Sequence, residues 1–197
     1  MNLALFDFDG TITTKETWPL FMRSAIPLRR QVVGLLPLAP WLVGYKLGLV
    51  PVVTVRSVMT NVGFRGVPEI RVREVGQHFS RTVLPGLIRP MALERIKWHR
   101  AQGDIVVVVS ASLELCLAEW CKPLGLQLIS TQLESRDGVL TGRFLGNQCC
   151  GQEKVRRIVA AYNLSDFSTV YGYGDTAEDQ DMLSIASKKY YQWHEMA

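Results

Sequence analysis

Leu3-Ala4-Leu5-Phe6-Asp7-Phe8-Asp9-Gly10-Thr11-Ile12-Thr13 is the stretch on which the reading of the whole chain depends. A short apolar run at the start of a chain reads as a buried strand. This one nonetheless carries two carboxylates, and an unpaired charge in a core is costly. Side chains two apart in an extended chain project to one side. Asp7 and Asp9 therefore point together, while Phe6 and Phe8 face the other way. Gly10 lets the backbone turn sharply and approach a ligand closely. On these residues alone, two solvated acids ahead of a turn describe the stretch equally well.

Later stretches share its character. Asp104-Ile105-Val106-Val107-Val108-Val109-Ser110 is a continuous β-branched run bounded by turn signals, the pattern of a strand buried on both faces in a parallel sheet. Ser168 to Tyr173 is another strand and ends in Gly174-Asp175-Thr176-Ala177-Glu178-Asp179. Leu126 to Ile129 is a short strand, and Asp137-Gly138 between two strand-like runs (132–144) marks a hairpin. The aromatic tail Tyr190-Tyr191-Gln192-Trp193 reads as a last, edge strand.

Helices alternate with these strands. Leu87 to Arg100 draws apolar contacts from Ile88, Met91, Ile96 and Trp98, and Ser112 caps a helix from Leu113 to Leu124. Gly151 to Tyr162 carries Lys154 in its first turn, and a further helix contains Met182 and Ile185. The alternation predicts an α/β fold with a doubly wound, mostly parallel sheet.

Between the first strand and Leu84 no strand alternation occurs. Thr13-x-x-Glu16 matches a capping box and predicts a helix through Trp18, Leu20 and Phe21. Val67-Pro68-Glu69 restarts a helix with Ile70, Val72, Val75, Phe79 and Val83 on its apolar face. The expected organisation is an α/β core of residues 1–14 and 85–197, interrupted by a helical cap of residues 15–84.

The 197 residues suit one domain with such an insertion, and contents of 48% hydrophobic and 20% charged residues are ordinary for a globular chain. The net charge of +4 is spread over isolated basic pairs, which are solvated faces, so no nucleic-acid partner is expected. Anionic small molecules or an anionic membrane surface fit the mild excess. Cys116, Cys121, Cys149 and Cys150 lack zinc-site spacing and read as reduced thiols. His78, His99 and His194 suggest neither metal ligation nor a Ser-His-Asp arrangement. The segment from Gln31 to Tyr45 is uncharged, yet Pro37 and Pro40 interrupt it and it falls short of the about 20 apolar residues a membrane span needs. With no signal peptide visible, the expected location is cytoplasmic.

Open parallel sheets bind ligands outside the carboxyl ends of their strands. Asp7, Asp9, Ser110, Asp175 and Asp179 stand at those ends, and Lys154 can reach the same edge. Asp7-Phe8-Asp9-Gly10-Thr11, Val109-Ser110-Ala111-Ser112, Lys154 and Gly174-Asp175-Thr176-Ala177-Glu178-Asp179 resemble the four motifs of the haloacid dehalogenase-like hydrolases. More narrowly they resemble the phosphoserine-phosphatase-like subfamily (subfamily IB), whose helical cap follows the first strand. The motifs run from Phe6 to Met182 in family order.

The resemblance implies a Mg²⁺-dependent phosphomonoester hydrolase acting on a small phosphorylated metabolite through an aspartyl phosphate. Asp7 would be nucleophile and metal ligand, with Mg²⁺ also held by the Asp9 carbonyl and Asp175. Asp179 would ligate the metal directly, through water, or by orienting another ligand. Asp9 would be the general acid–base. Ser110 and backbone groups of Gly10, Thr11, Ala111 and Ser112 would bind the phosphoryl oxygens, and Lys154 would neutralise their charge. Each has a structural alternative: a strand-ending serine, a solvated helix lysine, and helix-start acids favoured by the macrodipole.

Substrate choice is less determined. Glu16 stands where phosphoserine phosphatases bind an amino group, and the capping box explains it as well; Arg56 is a candidate carboxylate or phosphate anchor. Ser110-Ala111-Ser112 replaces the family's Ser-Gly-Gly, and Glu178 replaces a common asparagine, both departures from phosphoserine phosphatase. The apolar stretch from Val32 to Val55 resembles caps of members that act on phosphatidylglycerophosphate. It reads either as a buried helical hairpin or as a surface meeting lipid or a membrane interface. Alternatives to the small-metabolite hydrolase are thus a lipid-phosphate phosphatase of the phosphatidylglycerophosphatase type, a phosphoserine phosphatase, a phosphotransferase, or an idle phosphate- or lipid-binding module. The sequence leaves the oligomeric state open.

Overall fold

The computed structural model describes residues 1–196, and its central strand, β1 (Leu3–Phe6), is buried on both faces. The chain then passes through four helices: α1 (Thr17–Ala25), α2 (Leu28–Lys46), α3 (Val52–Phe64) and α4 (Glu69–Thr82). Helix α5 (Pro90–Ala101) leads to β2 (Ile105–Leu113), followed by α6 (Glu114–Cys121) and β3 (Gln127–Thr131). A hairpin of β4 (Leu133–Arg136) and β5 (Val139–Phe144) precedes α7 (Gln152–Ala161) and β6 (Val170–Gly174). The chain closes with α8 (Gln180–Ser184), β7 (Lys188–Tyr191) and β8 (His194–Met196).

The main sheet has the order β3-β2-β1-β6-β7-β8, parallel throughout except where β8 runs against β7. Strand periodicity feeds two cores. Ala4, Phe6, Val106 and Val108 pack on one face with Val72 and Phe79 of α4, Ile96 of α5 and Leu117 of α6. Leu3, Leu5, Val107 and Val109 pack on the other with Ile158 of α7 and Met182 of α8. This is the doubly wound α/β architecture that the apolar runs predict. From β1 the chain builds the sheet outward on one side through β2 and β3, then returns to the other side with β6, so the carboxyl ends of β1, β2 and β6 flank the point of reversal.

Several local expectations are corrected. Thr13 caps no helix: it bridges to Ile88, and its hydroxyl donates to the carbonyl of Lys15 at 2.8 Å. Helix α1 starts at Thr17, and the Glu16 side chain makes no capping bond. Ser112 lies within β2, which runs on to Leu113, and α6 begins only at Glu114. The tail forms a hairpin, because positive φ at Gln192 and Trp193 (50° and 68°) reverses the chain into β8. On α4 the buried face is Val72, Gly76, Phe79 and Ser80, while Ile70 is exposed. Gly76 is required there, since a Cβ would stand 1.8 Å from the carbonyl oxygen of Leu115.

The largest departure is α2. Pro37 and Pro40 lie inside one helix instead of breaking it. Each removes a donor and leaves the carbonyl four residues back without its intrahelical partner. Those carbonyls belong to Val33 and Leu36, both exposed, where water can serve them. Nor is the α2–α3 pair a buried hairpin, since Gly34 is the only buried residue of α2. No helix among the described residues is long and apolar enough to cross a membrane.

Candidate active site

Asp7 follows β1 directly, and its N–H donates to the Tyr173 carbonyl at 2.9 Å, which extends the pairing with β6 by one residue. Its side chain opens into a cavity of about 520 Å³. Asp9, Glu16, Arg56, Lys154, Glu178 and Asp179 supply its polar lining, and Trp18, Pro19, Tyr45, Val52, Val55, Met59 and Ala111 its apolar lining.

Lys154 is a fully buried ammonium shared by two carboxylates. Its Nζ donates to Asp7 Oδ1 at 2.5 Å and to Asp179 Oδ1 at 2.6 Å. Burial works against its charge, but the attraction of Asp7 and Asp179 outweighs this and raises its pKa, so it stays protonated. Asp179 is fixed from both sides: its Oδ2 accepts from the N–H groups of Asp175 (3.1 Å) and Thr176 (3.0 Å) and from the Thr176 hydroxyl. Burial opposes ionisation of Asp179, yet Lys154 and these N–H groups hold its pKa below the ordinary carboxylate value. For Asp7 burial prevails over Lys154, and the charge of Asp179 adds to it, so its pKa lies well above that value.

Asp175 takes its position from the turn after β1. Thr11 donates to its Oδ1 at 3.0 Å, and Gly10, at φ 84°, leaves room for its other oxygen, which would lie 2.1 Å from a Cβ at that position. Burial raises the Asp175 pKa further than the Thr11 bond lowers it. The carboxylates of Asp7, Asp175 and Asp179 offer oxygens within 4.8 Å of one another. Two buried acids and the half-buried Asp175, grouped about one ammonium, leave negative charge uncompensated, and hard oxygens so grouped suit Mg²⁺.

Asp9 is turned toward α1. Its Oδ1 accepts from the N–H of Thr17 at 2.6 Å and from the Thr17 hydroxyl, and its Oδ2 accepts from the Ser112 hydroxyl at 2.5 Å. A carboxylate from the preceding turn thus caps the helix that Thr13 leaves uncapped.

The residues expected to bind phosphate divide accordingly. Ala111 lines the cavity. Ser110 is buried beside it, where its hydroxyl accepts from the Ser112 N–H at 3.0 Å. The Gly10 N–H donates to Thr13 Oγ1 at 3.2 Å, so Gly10 and Thr11 act on Asp175 and on their own turn. Arg56 pairs with Glu178 at 3.5 Å, its guanidinium 5.9 Å from the centre of the Trp18 ring. In Glu16 partial burial and the charge of Asp9 raise the pKa against the pull of Arg56.

Sequence reading missed Thr17, Thr176 and the apolar wall. The first two make contacts set by chain reversal, although Thr176-x-x-Asp179 is itself a capping-box spacing and could have been found. The cysteines take no part: all four are unpaired, and burial pushes Cys121 to about 12 and Cys149 to about 11, which keeps both as thiols.

The chain is similar to known proteins. The family model for haloacid dehalogenase-like hydrolases matches residues 4–184. Protein CicA of Caulobacter vibrioides (strain NA1000 / CB15N) is 34% identical over 96% of this chain and 85% of its own length. A Bordetella pertussis Tohama I protein of unknown function superposes with a TM-score of 0.77 at 21% identity, covering 96% of this chain and 89% of that one. A phospho-aspartyl intermediate analogue of phosphoserine phosphatase superposes with a TM-score of 0.58 at 22% identity, covering 96% and 85% of the two chains.

Proposed function

The chain belongs to the haloacid dehalogenase-like hydrolases, and on that footing we propose that it hydrolyses phosphomonoesters through Asp7, with Mg²⁺ as the metal and a small phosphorylated metabolite as substrate. It is a phosphatase-like hydrolase of that family. The observation that supports the proposal most is the shared ammonium of Lys154, held at 2.5 Å and 2.6 Å between the buried carboxylates Asp7 and Asp179. A structural ion pair needs one acid, whereas this lysine holds two, and the oxygens of a third, Asp175, lie within 4.8 Å of theirs.

In the proposed reaction a carboxylate oxygen of Asp7 attacks phosphorus, and the bond from phosphorus to the leaving alcohol breaks. Asp9 supplies the proton that the alcohol takes. Water then attacks the aspartyl phosphate, Asp9 accepts its proton, and phosphate leaves as the Asp7 carboxylate reforms. Thr17 and Ser112 fix the direction of the Asp9 carboxylate throughout. Lys154 balances the charge of the phosphoryl oxygens in a site sheltered from water. Asp7, Asp175 and the Asp9 carbonyl would hold Mg²⁺, with Asp179 beside them. The metal, when bound, lowers the repulsion between the Asp7 carboxylate and a phosphate dianion. Helices α1–α4 are assigned as the cap, with α3 set over the site by the Arg56–Glu178 pair and by the Gln148 amide, which donates to the Val53 carbonyl at 2.7 Å.

A second reading, a phosphomonoester with an apolar body such as a lipid phosphate, is favoured by the walls formed by Trp18, Tyr45, Val52, Val55 and Met59. For a phosphoserine substrate, Glu16 and Arg56 would both be needed, and Arg56 is already paired with Glu178.

Hydrolysis of an aryl phosphate with and without Mg²⁺ tests the reaction class. Turnover is expected only with the metal, with none in Asp7→Asn and a loss of about 10²–10⁴-fold in Asp9→Asn. Full activity in Asp7→Asn overturns the proposal. Mg²⁺ should also raise the thermal midpoint of the wild type but not of Asp175→Ala, a readout that needs no turnover.

A further inference from the structure

We propose that the α2–α3 hairpin docks on an anionic lipid bilayer, with α2 lying in the interface plane. Eleven of the nineteen large apolar side chains exposed among the described residues fall between Leu28 and Val53, although scattered single residues are the rule elsewhere. On α2 they form a stripe: Leu28 (74% exposed), Val32 (59%), Leu36 (82%) and Val43 (56%), at intervals of four, four and seven. That spacing is one helical face. The opposite face carries Gly34, on which a Cβ would meet Val62 of α3 at 2.3 Å, and so faces the protein. An apolar stripe directed away from its own fold requires another apolar phase to cover it.

Charge identifies that phase. Between Thr17 and Pro68 there is no aspartate or glutamate, while six of the chain's 22 basic residues fall there, so this segment carries +6 and the other residues, with 16 basic and 18 acidic side chains, carry −2. Arg30 is committed to the carbonyls of Gly63 and Arg65, and Arg56 to Glu178. Arg23, Arg29, Lys46 and Arg65 are exposed and join no ion pair among the described residues. Arg29 and Lys46 stand at opposite ends of α2, where their stems can lie along apolar surface while the charges reach lipid phosphates. A protein partner would need acidic groups around an apolar groove; an anionic bilayer presents both features over its whole surface.

Docking would also orient the cavity. Tyr45 at the end of α2 and Val52 at the start of α3 line the space that holds Asp7, so the rim of that cavity would meet the headgroups. The docking surface itself does not depend on the hydrolase reading, since binding needs no turnover.

Flotation with phosphatidylcholine vesicles, with and without phosphatidylglycerol at one lipid in three, tests it. The expected result is partition onto the anionic vesicles at least tenfold above that on phosphatidylcholine alone, weakening as salt is raised. Leu36→Glu should lose at least tenfold of that partition and keep the wild-type rate on a soluble aryl phosphate, which shows that it folds. Arg29→Ser with Lys46→Ser should lose the preference for anionic lipid. Equal partition of Leu36→Glu and wild type, or no partition of the wild type on any vesicle, overturns the proposal. So does a concentration-dependent dimer that Leu36→Glu dissociates, which would make a second copy the occupant.

Discussion

Removing the ammonium of Lys154 leaves Asp7 and Asp179 buried without a counter-charge, because both carboxylates accept from the same nitrogen. Breaking such a pair from one side costs about 3–5 kcal/mol. The cost depends on pH in a definite direction. Burial already raises the Asp7 pKa in the fold, and loss of Lys154 raises it further, whereas the unfolded chain titrates at the ordinary value of about 3.9. An acid with a raised folded pKa is neutral in both states at low pH. As pH climbs past 4 the unfolded state ionises first, and stability is lost until the folded pKa is passed. Lys154→Met, measured by urea denaturation in the presence of a chelator, should therefore approach wild-type stability at pH 4 and fall away from it by pH 8. A deficit that does not change with pH would mean that the lysine holds the site by packing and not by charge.

At the scale of elements, Asp9 belongs to α1 as much as to the candidate chemistry. Its Oδ1 accepts from the Thr17 N–H at 2.6 Å, the place of a helix cap. Asp9→Asn keeps an oxygen there and should unfold within about 0.5 kcal/mol of the wild type, whereas Asp9→Ala should cost about 1 kcal/mol more. Both should lose activity, so equilibrium unfolding separates the two roles. Loss of equal stability in both variants would exclude the cap. This element also shows what the sequence made legible. The Asp137-Gly138 hairpin was readable because positive φ at both residues, 50° and 75°, is a local property of those residue types. The buried strands were readable because apolar runs leave few other outcomes. Thr13-x-x-Glu16 has equally good local chemistry, but pairing of Thr13 with Ile88, far away in the chain, took the threonine from the helix. Prolines 37 and 40 misled for the converse reason: a break is costly only where the freed carbonyl cannot reach water, and α2 is exposed.

Over the whole molecule the motif residues were legible because family order and residue type survive without any knowledge of packing, whereas the cavity's apolar walls come from helices that only the tertiary structure brings over the sheet. One buried polar thread ties those layers together. Asp104, just before β2, accepts from the Asn2 N–H at 3.0 Å and from His99 Nδ1 at 2.8 Å, and His99 Nε2 accepts from the Tyr173 hydroxyl at 2.9 Å. Tyr173 in turn stacks on Phe6 of β1 and Tyr190 of β7, with ring centres 4.2 Å and 4.8 Å apart. With Nδ1–H donating to Asp104, a neutral imidazole leaves Nε2 as the acceptor for the Tyr173 hydroxyl and so completes the thread. Burial lowers the His99 pKa more than Asp104 raises it. The unfolded chain protonates its histidine near 6.5, before the folded chain does. Stability from His99 is thus fully present above that pH and declines below it, by at most about 1.4 kcal/mol per pH unit, until the folded pKa is reached. His99→Gln, which cannot titrate, should be less stable than the wild type at pH 7.5, and the gap should narrow steadily from pH 6.5 to pH 5. Carboxylates titrating elsewhere cancel in this difference, so a gap that stays constant would place the His99 proton equally in both states and remove the thread as a source of acid sensitivity.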